Sequence, residues 1–430
     1  MMNMDEKHGK AMDTAQALAG LRVLDYSQFV SGPYCTKLLA DLGAEVIKIE
    51  PLEGDEARRF PPFFQDTPDK EMSGLFLYLN TNKWGITLNL DTQTGKLLFR
   101  KLVKQADLLI ENHSPGKMKQ YGLDYDSLKR ENPGLVMTSI TPFGQDGPYS
   151  EYKSYPLNIY HAGGEGYCLP GGIGWQLNQD REPIKAGGYI GEYDAGIVAS
   201  MMSLAAFLRR ELTGEGSFID ISQQEVLLSL MCTELGRYSD GWVEGRATRW
   251  FPIAGLMPCK GGFVQVMPFE RHMWNGFVDL LGNPPWSRKE GYDFANVYGR
   301  PVKGKGITGV NERQQIQEEV NGILSEWMLR HTKEEVYYGA QERGAAVGMV
   351  CTTEDLLKSK QLQARQFFVQ IEHPKVGSHT YPGAPFKMSL TPPQAKRPAP
   401  LLGEHNEEIY CRRLGFTRGE LLQLTEAKVI

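Results

Sequence analysis

A glutamate at position 192 has the sequence surroundings of a reactive carboxylate. It ends a glycine-rich run at residues 186–191, and an apolar helical pattern begins just behind it at Asp194. Glycine lets a backbone approach a ligand closely, and a carboxylate at the mouth of a helix can serve as a covalent nucleophile. A structural interpretation stays open, because an acid at a helix N-terminus stabilises the helix dipole by ~0.3–1 kcal/mol. Asp194 itself could be the N-cap.

Other chemically active residues offer weaker signals. His113 and His161 are single histidines in loops, where either a general base or a solvated side chain is possible. The sequence contains no zinc-protease, P-loop or nucleophile-elbow motif. The chemistry must therefore come from carboxylates and backbone amides. A second glycine cluster at residues 167–174 suggests, together with the first, a mobile lid over a site.

Composition excludes several classes of protein. The 430 residues are 41% apolar and 23% charged, with a formal net charge of -5, which is typical of a globular protein and argues against nucleic-acid binding. No apolar run is long enough to span a membrane, and residues 1–17 are predicted to be a polar, flexible leader. Six scattered cysteines predict free thiols in the cytoplasm and no metal site.

The elements that must position Glu192 follow a repeating strand–helix pattern. Strands are predicted at 21–26, 45–50, 86–90, 106–110 and 135–139, with helices from Gly32, over 92–104 and at 128–132. Strand, helix and strand within about 30 residues form a right-handed crossover unit, so the pattern predicts an open, doubly wound α/β sheet. A long amphipathic helix at 194–211, a turn, a strand at 218–221 and a helix at 224–237 follow.

Ligands of such sheets bind beyond the carboxyl ends of the strands. This rule selects the loops at residues 27–31, 51–55, 112–115 and 141–144. Because no GxGxxG motif follows the first strand, a nicotinamide dehydrogenase is disfavoured.

The chain is predicted to divide into a leader, a large domain, a small domain and a return segment. An aromatic-rich stretch after residue 240 marks the small α+β domain, and a Pro-rich, extended stretch from about 370 leads to a short helix at 404–414. The predicted bounds are 1–17 for the leader, 18–225 for the N-terminal part of the large domain, 226–330 for the linker helix and small domain, and 331–430 for the segment that completes the large domain.

Several motifs together resemble the class III CoA-transferases. The similarity extends from about Leu18 to the C-terminus. It is carried by the sequences LAGLRVLD at 18–25, SGP at 31–33, LGAEVIKIE at 42–50, NTNK at 80–83, ENHSPG at 111–116, TGEG at 213–216, GAPF at 383–386 and LGEH at 402–405.

The resemblance implies a fold, a reaction and an assembly. It implies a Rossmann-like large domain, a smaller domain and two chains that interlock as a dimer. It also implies transfer of CoA from an acyl-CoA to a carboxylic acid through anhydride and thioester intermediates on an enzyme carboxylate. Coenzyme A and acyl-CoA would be substrates, with no permanently bound cofactor, no metal and no nucleic-acid or membrane partner.

The resemblance also assigns residues. The catalytic aspartate of the family corresponds to Glu192, preceded by Gly191, and Lys153 and Tyr155 fall at active-site positions. Pro156 stands where many members carry an acid. CoA-contacting positions are expected at Ser27, Gln28, Phe29, Leu88, Asn112, His113 and Lys153.

Glutamate in place of aspartate leaves alternatives open. Glu192 could be the nucleophile of an adjusted pocket, although a misplacement of ~1 Å can cost about 100-fold in rate. The chain could instead be the non-catalytic subunit of a heteromer, as in members such as succinyl-CoA:benzylsuccinate CoA-transferase. Two further alternatives are an acyl-CoA racemase or isomerase, with His113 as the candidate base, and a CoA-binding protein without activity.

Overall fold

The computed structural model describes residues 16–169, 182–231, 255–268, 270–297 and 310–430. Residues 170–174 of the second glycine cluster lie outside these ranges, as does the end of the helix predicted at 224–237. The chain forms two compact units. The first consists of Met1–Glu165, Lys185–Cys232 and Gln361–Ile430, and the second of Gly166–Ile184 and Thr233–Lys360.

The strands are numbered in chain order. They are β1 (Arg22–Tyr26), β2 (Glu45–Glu50), β3 (Trp84–Thr87), β4 (Leu108–Glu111), β5 (Val136–Thr141), β6 (Ser217–Ser222), β7 (Gly255–Cys259), β8 (Gly262–Val266), β9 (Val347–Met349), β10 (Phe368–His373) and β11 (Gly377–Pro382).

The helices are numbered in the same way. They are α1 (Ser31–Asp41), α2 (Gly74–Leu79), α3 (Gln93–Val103), α4 (Lys117–Tyr121), α5 (Tyr125–Lys129), α6 (Pro156–Ala162), α7 (Glu165–Cys168), α8 (Ile190–Thr213), α9 (Gln223–Leu230), α10 (Arg271–Leu280), α11 (Phe294–Val297), α12 (Val310–Arg330), α13 (Lys333–Glu342), α14 (Thr353–Leu357), α15 (Lys360–Ala364) and α16 (Arg418–Glu426). Short 3₁₀ turns occupy Glu56–Arg59, Phe64–Asp66 and Pro285–Arg288, and a π-helical turn occupies Glu407–Arg413.

The first unit is built on a six-stranded parallel sheet in the order β3-β2-β1-β4-β5-β6. Its side chains alternate between two cores. Leu24 points into a core shared with Phe99 of α3, whereas Val23 points into a core shared with Leu39 of α1 and Ala199 of α8. Helices therefore cover both faces, which confirms the predicted doubly wound α/β sheet.

The packing of α8 on α1 depends on a glycine. A Cβ atom built on Gly196 would lie 2.7 Å from the backbone oxygen of Ser31 and 3.2 Å from a ring carbon of Tyr34. These distances are shorter than ordinary contacts, and the backbone of Ser31 cannot rotate away. Gly196 thus sets the separation of the two helices and, with it, the place of Glu192 one turn earlier.

Replacing Gly196 by alanine is expected to destabilise the protein by about 1–3 kcal/mol, because the added methyl group forces α8 away from α1. This effect outweighs the gain of ~1 kcal/mol that alanine normally brings to a helix. Chemical denaturation measures the change. Gly322 of α12, whose Cβ position is open, is the control, and a G196A protein as stable as wild type would contradict the close packing.

The second unit contains the antiparallel sheet β7-β8-β9 and a core of aromatic and aliphatic side chains. Trp274, Phe277 and Trp286 are buried in it. Val336 and Val347 belong to the same core, so this unit continues past residue 330, the predicted end of the small domain.

Three predicted elements are placed differently in the structure, and a hairpin and a helix were not predicted. Helix α8 begins at Ile190 instead of residue 194, so the N-cap is Tyr189 and not Asp194. Helical hydrogen bonding starts one turn earlier, since Tyr193 N donates to Tyr189 O at 2.9 Å and the Tyr193 ring packs on Tyr34 of α1. Strand β3 lies two residues earlier than predicted, and α5 three residues earlier, because the Asp124 side chain caps it by accepting from Ser127 N at 3.1 Å. The β10–β11 hairpin and α16 were not predicted.

Candidate active site

The sheet places the predicted binding loops at its topological switch point. Strands β1 and β4 are adjacent, although the chain visits β2 and β3 between them. Ligands bind in α/β sheets where the strand order reverses in this way. The loops that leave β1 and β4 meet here: Asn112 Oδ1 accepts from Gln28 N at 2.7 Å, and Asn112 Nδ2 donates to Gln28 O at 2.7 Å.

Buried charged side chains hold the loop after β1, residues 27–31, in place. Lys48 Nζ donates to the backbone oxygen of Ser27 and lies 2.6 Å from Asp55 Oδ2. Asp55 Oδ1 accepts from Phe29 N at 2.9 Å. Phe29 adopts a left-handed backbone with φ 66°, a conformation that non-glycine residues rarely adopt and that is concentrated at functional sites. The predicted loops at 27–31, 51–55 and 112–115 are therefore one connected unit.

His113 is held as a neutral imidazole. Burial lowers its pKa to about 4, and the charges of Lys48 and Lys117 act in the same direction. Its ring lies 4.3 Å from that of Tyr26, and its Nε2 atom is buried with no hydrogen-bond partner among the described residues. A neutral ring with a free nitrogen suits hydrogen bonding to a ligand.

Glu192 lies in the first turn of α8 and is only 5% exposed. Burial raises its pKa, whereas its own backbone N–H and the charge of Lys185 act to lower it, and the charge of Asp194 adds to the rise. A partly desolvated carboxylate is a stronger nucleophile than a hydrated one. The preceding residue, Gly191, packs closely against α9. A Cβ atom on Gly191 would lie 3.2 Å from the Leu227 side chain.

Aromatic side chains connect the turn that carries Glu192 to the first binding loop. The ring of Tyr189 lies 4.9 Å from that of Phe29 in an edge-to-face arrangement. Phe29 packs in the same way on Phe60, and Tyr193 lies 4.7 Å from Tyr34. Such pairs contribute about 0.5–1.5 kcal/mol each beyond the area they bury. The structure thus links the predicted nucleophile to the loop that contains Ser27, Gln28 and Phe29.

Three predicted site residues are placed differently. Leu88 is 1% exposed and lies in the core of the large sheet. Lys153 is exposed. Tyr155 is 74% exposed at the N-cap of α6, a helix that packs against α8 and α9. Contact of these three residues with a ligand stays a prediction.

Asp55, Tyr189 and Lys185 contribute to this region but were not predicted as site residues. Asp55 and Tyr189 act through long-range contacts that a sequence pattern does not reveal. Lys185, by contrast, directly precedes the glycine-rich run, so its nearness in sequence to Glu192 was visible.

The described part of the chain holds no cluster of His, Cys, Asp and Glu able to bind a metal ion. Within the same ranges no helix is both long and apolar enough to cross a bilayer. Among the described cysteines, Cys35, Cys259, Cys351 and Cys411 are free thiols.

Comparison with known proteins gives relatives over the whole length. The chain is 31% identical to a formyl-CoA:oxalate CoA-transferase of Streptomyces coelicolor, covering 97% of this chain and 100% of the relative. It is 29% identical to a succinyl-CoA–D-citramalate CoA-transferase of Chloroflexus aurantiacus, covering 96% and 98%. Both relatives carry the name of a transferase, which does not favour the racemase alternative.

Solved structures agree. A CaiB/BaiF family protein from Brucella suis superimposes with a TM-score of 0.78 at 25% identity, covering 94% of this chain and 99% of that protein. A Mycobacterium tuberculosis protein shares the fold at 22% identity, with a TM-score of 0.74 and coverage of 92% and 99%. The sequence model of CoA-transferase family III matches residues 18–406. The chain therefore belongs to CoA-transferase family III, and it is an enzyme that transfers CoA between an acyl-CoA and a carboxylic acid.

Proposed function

We propose that Glu192 is the nucleophile of this CoA-transferase. The observation that carries the proposal is its placement: a buried carboxylate in the first turn of α8, linked through Tyr189 and Phe29 to the strand-end loop. The sheet provides a binding crevice at the switch point, where Ser27, Gln28, Phe29, Asn112 and His113 are the proposed CoA contacts.

The reaction proceeds by four acyl transfers. The Glu192 carboxylate attacks the donor thioester, the C–S bond breaks, and CoA leaves as a thiolate from a mixed anhydride. The thiolate attacks the glutamyl carbonyl, which releases the donor acid and leaves Glu192 as a CoA thioester. The acceptor carboxylate then attacks this thioester and displaces CoA again. The returning thiolate attacks the acceptor acyl carbon and frees Glu192.

The acids are proposed by chemical class. Relatives are named for formyl-CoA with oxalate and for succinyl-CoA with D-citramalate. We take a short acyl-CoA as donor and a small carboxylic acid as acceptor, in the cytoplasm. These two donor–acceptor pairs are the first assays to run.

Trapping with hydroxylamine tests the role of Glu192. Both the anhydride and the glutamyl thioester react with hydroxylamine, so incubation with formyl-CoA or succinyl-CoA should convert Glu192 to a hydroxamate. Mass spectrometry of the peptide that contains α8 detects it. Samples without acyl-CoA, and a Glu192→Gln variant, are the controls. An unmodified Glu192 in a preparation that turns over would overturn the proposal.

We further propose that the chain works as a dimer. One face of α8 carries Ile197, Met201, Leu208 and Leu212, which are 47%, 55%, 64% and 88% exposed. Their spacing of four, seven and four residues puts them on one side of the helix, and an exposed apolar stripe of this kind marks a protein interface. A second copy of the chain is the proposed occupant.

Ultracentrifugation and assay of the chain purified alone test this assembly. A dimer with activity supports the homodimer. Activity that appears only with a related subunit carrying the family aspartate would instead support the non-catalytic role for this chain.

A further inference from the structure

The carboxylate of Asp55 holds two segments of the chain at once. One oxygen, Oδ1, accepts from Phe29 N at 2.9 Å in the loop after β1 and from Ala57 N at 2.8 Å in the 3₁₀ turn Glu56–Arg59. The other oxygen, Oδ2, lies 2.6 Å from Lys48 Nζ. The Asp55 side chain has no exposed surface, so these contacts are made away from solvent.

The position of Asp55 is fixed in turn by a buried ion pair. Its backbone N–H donates to Glu50 Oε2 at 2.9 Å, and the two Glu50 oxygens also accept from Arg58 at 2.7 and 2.8 Å. Glu50 and Arg58 are both buried, and the Arg58 guanidinium lies 3.6 Å from the centroid of the Phe76 ring. Because its supports are buried and paired, the Asp55 carboxylate is preorganised to bind the loop.

Phe29 is the residue of the loop that needs this support. Its φ of 66° is left-handed, and a bulky residue keeps such a conformation only where its surroundings fix it. The hydrogen bond from Phe29 N to Asp55 is one such contact. The same carboxylate also caps the 3₁₀ turn that ends at Phe60, on whose ring Phe29 packs edge-to-face at 4.9 Å. Asp55 therefore sets both the backbone of Phe29 and the place of its ring.

We propose that Asp55 is a positioning residue that holds the loop after β1 in the left-handed conformation required to bind CoA. The inference rests on the proposed function, in which Ser27, Gln28 and Phe29 contact CoA. Without the Asp55 carboxylate the loop populates other conformations, and the apparent affinity for CoA falls with the fraction that remains competent. Bound CoA returns the loop to its place, so the chemical steps at Glu192 keep their rate.

Kinetics of Asp55→Ala and Asp55→Asn test this role. Alanine removes both acceptor oxygens, so we expect KM for formyl-CoA or succinyl-CoA, and the Kd of CoA measured by calorimetry, to rise about tenfold, with kcat within about twofold of wild type. Asparagine keeps one neutral oxygen for Phe29 N and Ala57 N, so the rise should be about threefold. In either variant Lys48 retains Asp25, whose Oδ1 lies 3.8 Å from its Nζ.

A second substitution identifies the backbone conformation as the cause. Glycine reaches positive φ without strain, so in a Phe29→Gly background the Asp55→Ala change should raise KM by less than about threefold. The same rise in both backgrounds would show that Asp55 does not act through residue 29 and would overturn the inference. Asp355→Asn is the matched control and should leave KM unchanged, since Asp355 also accepts from a backbone N–H, that of Thr352 at 2.7 Å, and pairs with Lys333.

The outcomes separate this inference from the proposed function. A wild-type KM in Asp55→Ala, or a loss confined to kcat, overturns the inference. If Asp55→Ala fails to fold, as judged by circular dichroism, Asp55→Asn decides in the same way, and if neither folds, Asp55 serves the fold alone and the inference is overturned. Gln28→Ala tests the proposed contact itself. A KM raised by Gln28→Ala but not by Asp55→Ala removes only the inference, whereas a KM unchanged in both shows that the loop does not contact CoA.

Discussion

Glutamine at position 192 is expected to lower kcat by on the order of 10⁴-fold or more, since removal of a covalent nucleophile has effects of this size. The amide has nearly the shape of the carboxyl group and cannot form an anhydride. Steady-state assays with formyl-CoA and oxalate, and with succinyl-CoA and D-citramalate, measure the change. Turnover at the wild-type rate would show that Glu192 does no covalent chemistry.

The same substitution should stabilise the protein at neutral pH. Burial raises the pKa of Glu192 in the folded state, so the folded protein binds this proton more tightly than the unfolded chain does. The stabilisation given by the protonated carboxyl is present below the unfolded pKa and is lost as pH rises through the folded pKa. Glutamine has no proton to lose, so the Glu192→Gln protein does not lose this stability as the pH rises. The melting temperature of Glu192→Gln should exceed wild type at about pH 8, with the difference vanishing near pH 4.

The Glu192→Asp variant distinguishes two alternatives. Either the pocket is adjusted to glutamate as the nucleophile, or the chain is a subunit that has lost the catalytic activity. In a pocket adjusted to glutamate, the shorter side chain lies about 1 Å from the productive position and should reduce kcat by roughly 100-fold. If the chain is instead a non-catalytic subunit, aspartate restores the residue of the family and activity should appear or increase. Glu192→Asp thus acts as the matched control for Glu192→Gln.

The sequence predicted the parts of the fold that local patterns determine. Strands β1 and β2 and helix α1 could be located because apolar runs alternate with helical spacing, and Gly43, at φ 100°, follows the end of α1. The start of α8 could not be located, because the glycine-rich run resembles a loop. In the structure residues 190–193 are helical, with Tyr193 packed on Tyr34 of α1 and Gly191 against Leu227 of α9.

The candidate site was predicted in part, because some of its residues follow local patterns and others depend on long-range contacts. The rule for strand ends identified the loops around Gln28 and Asn112, and the structure joins them by paired hydrogen bonds. The rule could not reveal that Lys48 and Asp55 fix the loop at residues 27–31, since Ser27 and Phe29, the residues they bind, are distant in sequence. The glycine-rich run before Glu192 marked it as a possible reactive carboxylate, and the family resemblance assigned it to the catalytic position.

A buried charge network supports the first binding loop, and Asp25 is its centre. Asp25 is fully buried and accepts from Lys83 Nζ at 2.9 Å and from Thr36 Oγ1 at 2.7 Å. Burial opposes its ionisation, but the charges of Lys48 and Lys83 outweigh this and lower its pKa to about 2. Ser27 also donates to Asp25. The network therefore couples the core of the sheet to the proposed CoA-binding loop.

Replacing Asp25 by asparagine is expected to destabilise the protein by about 3–5 kcal/mol at neutral pH, because it leaves Lys83 buried without its anionic partner. Lys48 keeps Asp55, whereas the remaining contacts of Lys83 that hold its ammonium are the neutral oxygens of Pro33 and Asn80. Denaturation in guanidinium chloride measures the loss. Asp91→Asn, at an exposed aspartate, should change stability by less than about 0.5 kcal/mol.

The pH dependence identifies the cause. Burial lowers the pKa of Lys83 to about 8 even with Asp25 present, and loss of the Asp25 charge lowers it further. The unfolded chain then holds this proton more tightly than the folded protein, so Asp25→Asn should regain stability as pH rises toward about 10. Adding Lys83→Met should recover part of the loss at neutral pH, since no buried charge then remains unpaired. If Asp25→Asn loses stability equally at every pH, the damage is to packing and not to charge.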